Sequence, residues 1–140
     1  MAATFQFKLV TPTGIVYEGL IEQAIAVGAL GEFGVLAGHT DFITSLVPGV
    51  LTLRVGDGLT DEYLLTGGLA EVKDGILTIL ALEAIPVAAV DPVAAAPEVE
   101  AAEARLAGLS FDDPRYGETE EALKVAQARA QIAQLRRVQR

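Results

Sequence analysis

No cysteine occurs in the 140 residues, which excludes disulfide staples, thiolate metal sites and cysteine nucleophiles while leaving the redox compartment open. Histidine occurs once, at His39. With no cysteine beside it and no repeated acid spacing around it, neither a metal cluster nor a catalytic triad has the residues it needs. The acidic pairs Asp61-Glu62, Asp112-Asp113 and Glu120-Glu121 are adjacent in the chain. Adjacent side chains on a strand or helix point apart, so these pairs read as solvated charge rather than as carboxylates flanking a substrate. Although 51% of the residues are hydrophobic, much of that is alanine. No run approaches the ~18 to 20 apolar residues that a spanning helix requires. Met1 to Phe7 lacks the basic-then-apolar pattern of a secretory signal. The chain is expected to be soluble, in the cytosol, and not to insert in a membrane.

Base is scarce until the end of the chain. The net charge is −9, which argues against nucleic acid, because neutralising phosphates needs a basic face. Residues 1 to 90 hold ten acids against three bases, and residues 91 to 121 hold nine acids against Arg105 and Arg115. From Ala122 onward there is no acid, and Lys124, Arg129, Arg136, Arg137 and Arg140 carry five positive charges. Two readings stay open: a helix whose acidic start and basic end complement its dipole, or a basic probe for an acidic partner.

Up to about residue 85, short β-prone segments alternate with Gly, Pro and Asp, the punctuation of an all-β domain. Phe5, Phe7 and Leu9 alternate with Gln6 and Lys8, as in a strand with one wet face. Thr11-Pro12-Thr13-Gly14 supplies a turn before a second strand from Ile15. Further strands are expected at Ile21 to Val27, Gly34 to Leu36, Val50 to Val55, Glu62 to Thr66, Leu69 to Val72 and Ile76 to Leu80. Lys73-Asp74-Gly75-Ile76 is a hairpin signal, because Asp-Gly accepts the positive φ of a tight primed turn. Short strands at this spacing predict a sandwich or flattened barrel.

After Ile85 the composition turns to Ala, Glu and Arg, which favour helix. Pro86, Pro92 and Pro97 interrupt this segment and prevent one continuous helix through it. The expected organisation is a β-sandwich over 1–86, a Pro/Ala linker over 87–96 and an antiparallel helical hairpin over 97–140, making the whole α+β. The first helix is firm over Pro97 to Ala107, with Gly108 placed to end it in a left-handed conformation. Asp112-Asp113-Pro114 makes a turn, and the second helix runs from about Glu118 to Val138. Ala95, Val99, Ala102, Leu106 and Leu109 share the spacing of Glu121, Val125, Ala128, Ile132 and Leu135, so the two seams can face each other. Alanine-rich contacts bury little apolar area. The hairpin could therefore detach or extend, or else remain packed permanently.

The segment Gly28-Ala29-Leu30-Gly31-Glu32-Phe33-Gly34-Val35-Leu36-Ala37-Gly38-His39-Thr40 resembles the signature of F-type ATP synthase ε subunits. Thr44-Ser45-Leu46-Val47-Pro48-Gly49-Val50-Leu51 resembles the family's following strand. Tyr63-Leu64-Leu65-Thr66-Gly67-Gly68-Leu69-Ala70-Glu71-Val72 resembles its Gly-Gly pair entering a hairpin, and Val10 to Gly14 resembles its opening. The order of β body, linker and helical hairpin is also similar. The resemblance implies a non-catalytic rotor subunit without cofactors, linking the γ subunit to the membrane c-ring and restraining ATP hydrolysis through its helices. It implies a peripheral place on the cytoplasmic face of the inner or plasma membrane.

The residues alone say that Gly31, Gly34 and Gly38 permit sharp turns and close approach by another chain. They make no phosphate loop, because no Gly-Lys-Ser/Thr follows. They suit a partner-binding rim or the turns of a sandwich. By resemblance, Gly28 to Gly34 with Glu32 faces the c-ring, and His39 resembles the position where the body meets γ. Arg129, Arg136, Arg137 and Arg140 are expected to meet the acidic surface of the α and β subunits. Some family members bind ATP through an apolar-Asp-x-x-Arg-Ala pattern. Here Asp91 is present, but Ala94 stands where the arginine belongs, and alanine offers no phosphate clamp. Arg105 and Asp91 remain candidates for weak nucleotide binding. The competing readings are an ATP-sensing subunit of the same family and an unrelated β-sandwich adaptor.

Overall fold

The computed structural model describes residues 2–90 and 95–138, with side chains over 2–90 and 96–132. Two compact units divide at Pro86 and Val87. The first holds ten strands: β1 (Phe5–Thr11), β2 (Gly14–Ile21), β3 (Gln23–Gly28), β4 (Gly31–Leu36), β5 (Phe42–Leu46), β6 (Gly49–Gly56), β7 (Leu59–Leu65), β8 (Gly68–Lys73), β9 (Ile76–Ala81) and β10 (Ala84–Pro86). The second holds a 3-10 turn (Val87–Ala89) and two helices, α1 (Ala95–Ala107) and α2 (Tyr116–Val138).

The strands form two layers. One runs β10-β7-β6-β3-β4 and the other β5-β8-β9-β1-β2, and they join at a corner where Gly28 of β3 pairs with Leu46 of β5. All neighbours are antiparallel except β1 and β9, which run parallel. Alternation explains the core. Phe5, Phe7 and Leu9 of β1, Leu51 and Leu53 of β6, and Leu77 and Ile79 of β9 point inward and are buried with Val35, Ala70 and Val72. The whole cluster lies between residues 5 and 81, so the β unit has a core of its own.

The Asp74-Gly75 turn forms as expected, with φ of 52° and 78° between paired Lys73 and Ile76. The strand boundaries differ in places. Ile21 ends β2 instead of opening β3, and β4 starts at Gly31, earlier than Gly34. Local pattern passes over β5, since this strand turns Thr44 inward and leaves Ile43 60% exposed. It also passes over β10, which ends on Pro86 and pairs only with β7. Such an edge position is one a proline can hold.

In the second unit α1 begins at Ala95, two residues before the expected start. Pro97 thus falls in the first turn, where a missing N–H breaks no intrahelical bond and no kink is required. Gly108 is not among the glycines with positive φ. The chain leaves α1 by a tighter turn, in which Leu109 N–H donates to Leu106 O at 3.1 Å. The connector uses the expected acidic turn: Asp113 Oδ1 accepts from Arg115 N–H at 2.8 Å, and Arg115 Nη2 donates to Oδ2 at 3.1 Å. The side-chain bond to Arg115 leads in holding the Asp113 carboxyl below its ordinary range, with the backbone bond adding to it.

Ala102 of α1 and Ala128 and Ile132 of α2 are buried, while Val99, Leu106 and Val125 are half-buried. Most of the expected seam is therefore formed. Glu121 is exposed and does not belong to it, Ala126 is buried on a side of α2 away from Ala128, and Leu135 lies outside the described side chains.

One polar atom in the β unit is out of place energetically. Thr66 Oγ1 is buried without a hydrogen-bond partner, and an unsatisfied buried hydroxyl costs about 1–3 kcal/mol. Thr66→Val keeps the shape and removes the hydroxyl. Its urea midpoint should equal or exceed the parent's, with a gain of about 1 kcal/mol; a clear loss would show that the hydroxyl is satisfied by solvent.

Candidate partner-binding surfaces

The segments Gly28–Thr40, Thr44–Leu51 and Tyr63–Val72 meet in space. Gly28 pairs with Leu46, Leu46 with Gly68, and Gly68 with Ala81, one cross-strand row through the corner between the layers. Ala29 N–H donates to Ser45 O at 3.1 Å and Val47 N–H to Val27 O at 3.2 Å, closing both ends of the corner. A side chain at Gly28 would stand 3.1 Å from the Phe33 ring. That glycine leaves room for the aromatic to lie over the corner.

Beyond Gly28 the β3–β4 hairpin projects. Gly31 (φ 121°) pairs with Gly28, and Leu30 at the tip is fully exposed. Glu32 is exposed opposite Val27. Gly34 makes no turn: it lies within β4 opposite Ile25 and has no positive φ. Gly38 does turn the chain, with φ 80° and the N–H of His39 donating to Leu36 O at 3.2 Å. This is the type II turn that requires a residue of positive φ at its third position.

His39 is held from two sides. Its Nδ1 lies 2.7 Å from Thr40 O, and since a carbonyl only accepts, Nδ1 carries the proton and Nε2 is left for other contacts. The ring lies 4.9 Å from Phe42, which meets Phe33 edge-on at 5.5 Å. Glu32 lies near the start of β4 and His39 lies beyond its end. Four residues of strand, about 13 Å, separate Glu32 from Leu36, so the two side chains lie at separate places on the β unit. Sequence reading singled out His39 and missed its supports, Phe33 and Phe42; the aromatic on each side of the Gly-His pair was the available signal.

The outer face of the second layer carries a further feature. Leu69, Leu80, Val10 and Ile15 are direct partners across β8, β9, β1 and β2. Leu80 and Ile15 are 50% and 55% exposed. The next row, Glu71, Thr78, Lys8 and Glu18, is polar. Only register brings these residues together, so local pattern could not show an apolar stripe bordered by charge.

In the helical unit, Arg129 of α2 donates through Nη1 to Glu98 Oε2 of α1 at 3.4 Å. Arg105 is exposed in the last turn of α1. Arg136 and Arg137 lie on the helical backbone of α2 with side chains outside the described residues; Asp91, Ala94 and Arg140 lie outside them altogether. Among the described residues no group of His, Asp and Glu could hold a metal ion, and no helix is long and apolar enough to cross a membrane.

Residues 4–87 match the family model described as ATP synthase, Delta/Epsilon chain, beta-sandwich domain. The ATP synthase epsilon chain of Afipia carboxidovorans is 43% identical over 104 residues, covering 74% of this chain and 76% of its own length. That of Acidithiobacillus ferridurans is 36% identical over 141 aligned positions, covering 100% of this chain and 94% of its own. A chain in the OSCP/F1/c-ring structure of Euglena gracilis mitochondrial ATP synthase superposes with a TM-score of 0.80 at 28% identity, over 91% of this chain and 80% of that one. A chain in the central stalk/c-ring structure of Tetrahymena thermophila mitochondrial ATP synthase gives 0.59 at 14% identity, over 96% of each, a likeness of fold alone.

Proposed function

Since the chain belongs to the ATP synthase epsilon-chain family, a subunit of the F-type enzyme, we propose that it is the non-catalytic rotor component joining γ to the c-ring and that its helices restrain ATP hydrolysis. The observation that carries this reading is the apolar stripe of Leu69, Leu80, Val10 and Ile15 on the outside of a sheet whose inner face already has a core. A stripe of that kind marks a protein interaction surface, and γ is its occupant. His39, steadied by Thr40 and Phe42 with Nε2 outward of those contacts, adds a polar contact to γ. Gly31, Glu32 and the exposed Leu30 form the projecting hairpin for the c-ring, with Gly34 stiffening its stem and Gly38 setting the turn to His39.

Arg129, Arg136, Arg137 and Arg140 supply the contact to the acidic α and β surface. The surplus of base after residue 122 supports this, because dipole complementation acts only within the last turn whereas these charges span three. With Ala94 in place of arginine, Asp91 and Arg105 lack a fork of donors for phosphate, which favours the brake over nucleotide sensing. Membership of the complex supports a peripheral position on the cytoplasmic face of the inner or plasma membrane.

Reconstitution with α, β, γ and the c-ring tests the reading. The chain alone should hydrolyse no ATP, and a complex built with residues 87–140 removed should retain the β unit on γ while hydrolysing ATP faster. Loss of γ binding on that truncation, or unchanged hydrolysis, would overturn the division of labour.

A further inference from the structure

The fully buried positions of the two helices are mostly alanine. Ala102, Ala126 and Ala128 are buried with Ile132, and an alanine methyl removes little apolar surface from water. Ala126 and Ala128, two positions apart, face nearly opposite sides of α2, so the larger apolar residues of the seam, Val99, Leu106 and Val125, are only half-buried beside at most one of them. Against so thin a seam a single ion pair is a large share of the directional contact between the helices. Among the described residues, Glu98–Arg129 is the one ion pair that joins α1 to α2; the pairs of Lys124 with Glu120 and Glu121 stay within α2. Glu98 and Arg129 are 42% and 32% exposed at their side chains, so the pair is screened but not free in solvent.

We infer that Glu98–Arg129 is an autoinhibitory latch: closing the hairpin occupies the arginine that α2 uses on its acidic partner, and parting the helices releases it. The inference rests on the reading of α2 as a brake. Its physical basis is exchange of one carboxylate for another. When α2 leaves α1, the guanidinium loses Glu98 and gains an acidic residue of the catalytic subunits, so part of the cost of opening is offset at the docking surface. The two members of the pair then have different duties. Glu98 acts only on closure, whereas Arg129 acts on closure and on docking.

This asymmetry gives substitutions of opposite sign. In the full chain, Glu98→Gln and Arg129→Gln should each raise the open-to-closed ratio about two- to fivefold, the range for a partly exposed pair. The chain's lack of cysteine allows spin labels to be placed uniquely at Ala101→Cys and Gln127→Cys, both exposed, to read that ratio as a distance distribution. In the reconstituted complex, Glu98→Gln should deepen inhibition and Arg129→Gln should relieve it. The charge swap Glu98→Arg with Arg129→Glu should restore closure without restoring inhibition. An unchanged distance distribution in Glu98→Gln overturns the latch. A shifted distribution accompanied by inhibition that neither single variant alters leaves Glu98–Arg129 as a clasp of the hairpin and overturns its autoinhibitory role together with the brake on which it was placed.

Discussion

Gly68→Ala should abolish cooperative folding of the β unit. Gly68 lies at the centre of the corner row, paired with Leu46 on one side and Ala81 on the other. Its φ is 146°, and a Cβ built there would press into the Leu80 carbonyl and come within 2.9 Å of Ala81 Cα. Both neighbours are backbone held in a ladder, so nothing flexible can give way. Backbone strain at a special φ alone costs on the order of 1–3 kcal/mol. Overlap with a fixed carbonyl adds to it, against a total stability of about 5–15 kcal/mol for an ordinary domain. Gly31→Ala separates the two effects. Its φ is 121° and nothing lies within 4 Å of the added methyl, so it should fold with only the strain term lost. Urea unfolding followed by circular dichroism decides: Gly68→Ala with a midpoint equal to that of Gly31→Ala would mean that the corner can shift to admit a side chain.

That corner shows what a sequence can and cannot reveal. The Asp74-Gly75 turn was legible because two adjacent residues carry the whole instruction. Asp57-Gly58 carries the same instruction and makes the same turn, with φ of 53° and 75°, so the β6–β7 hairpin was equally readable. Strand β5 was hidden from local pattern because its inward Thr44 and outward Ile43 reverse the usual alternation. The resemblance of Thr44–Leu51 to a family strand covered part of that gap. The row Gly28, Leu46, Gly68 and Ala81 is assembled from four strands, and no local period encodes pairing over such separations. The resemblance pointed to three of those segments without saying that they touch. In the helical unit, spacing yielded Val99, Ala102, Val125, Ala128 and Ile132. It misassigned Glu121, which keeps the spacing but holds its carboxylate in solvent, where it pairs with Lys124 within α2. Glu98, the partner of Arg129, was invisible until α1 and α2 were brought side by side.

The outward stripe leads to the second large effect. Leu69→Glu combined with Leu80→Glu should leave the fold intact and remove binding to γ. Both leucines point away from the core, at 37% and 50% exposure, and substitutions at such sites usually change stability by no more than about 0.5 kcal/mol. Directly paired carboxylates repel, and their solvated face limits that penalty. At an interface the balance reverses. Each lost anchor is worth about 2 kcal/mol or more when it sits at the centre of a contact, and two carboxylates would have to be stripped of water against an apolar partner. At 1.4 kcal/mol per tenfold, the dissociation constant for γ should rise by roughly 1,000-fold or more. Ile76→Glu provides the control on the same outward face of β9: Ile76 is 45% exposed and separated from the stripe by the polar row of Glu71, Thr78, Lys8 and Glu18. A narrow stripe predicts near-normal γ binding for Ile76→Glu, measured by calorimetry against purified γ, with the parent unfolding midpoint in both variants. Equal loss in both would mean that γ covers the whole face, and full binding by the double variant would mean that γ docks elsewhere on the β unit.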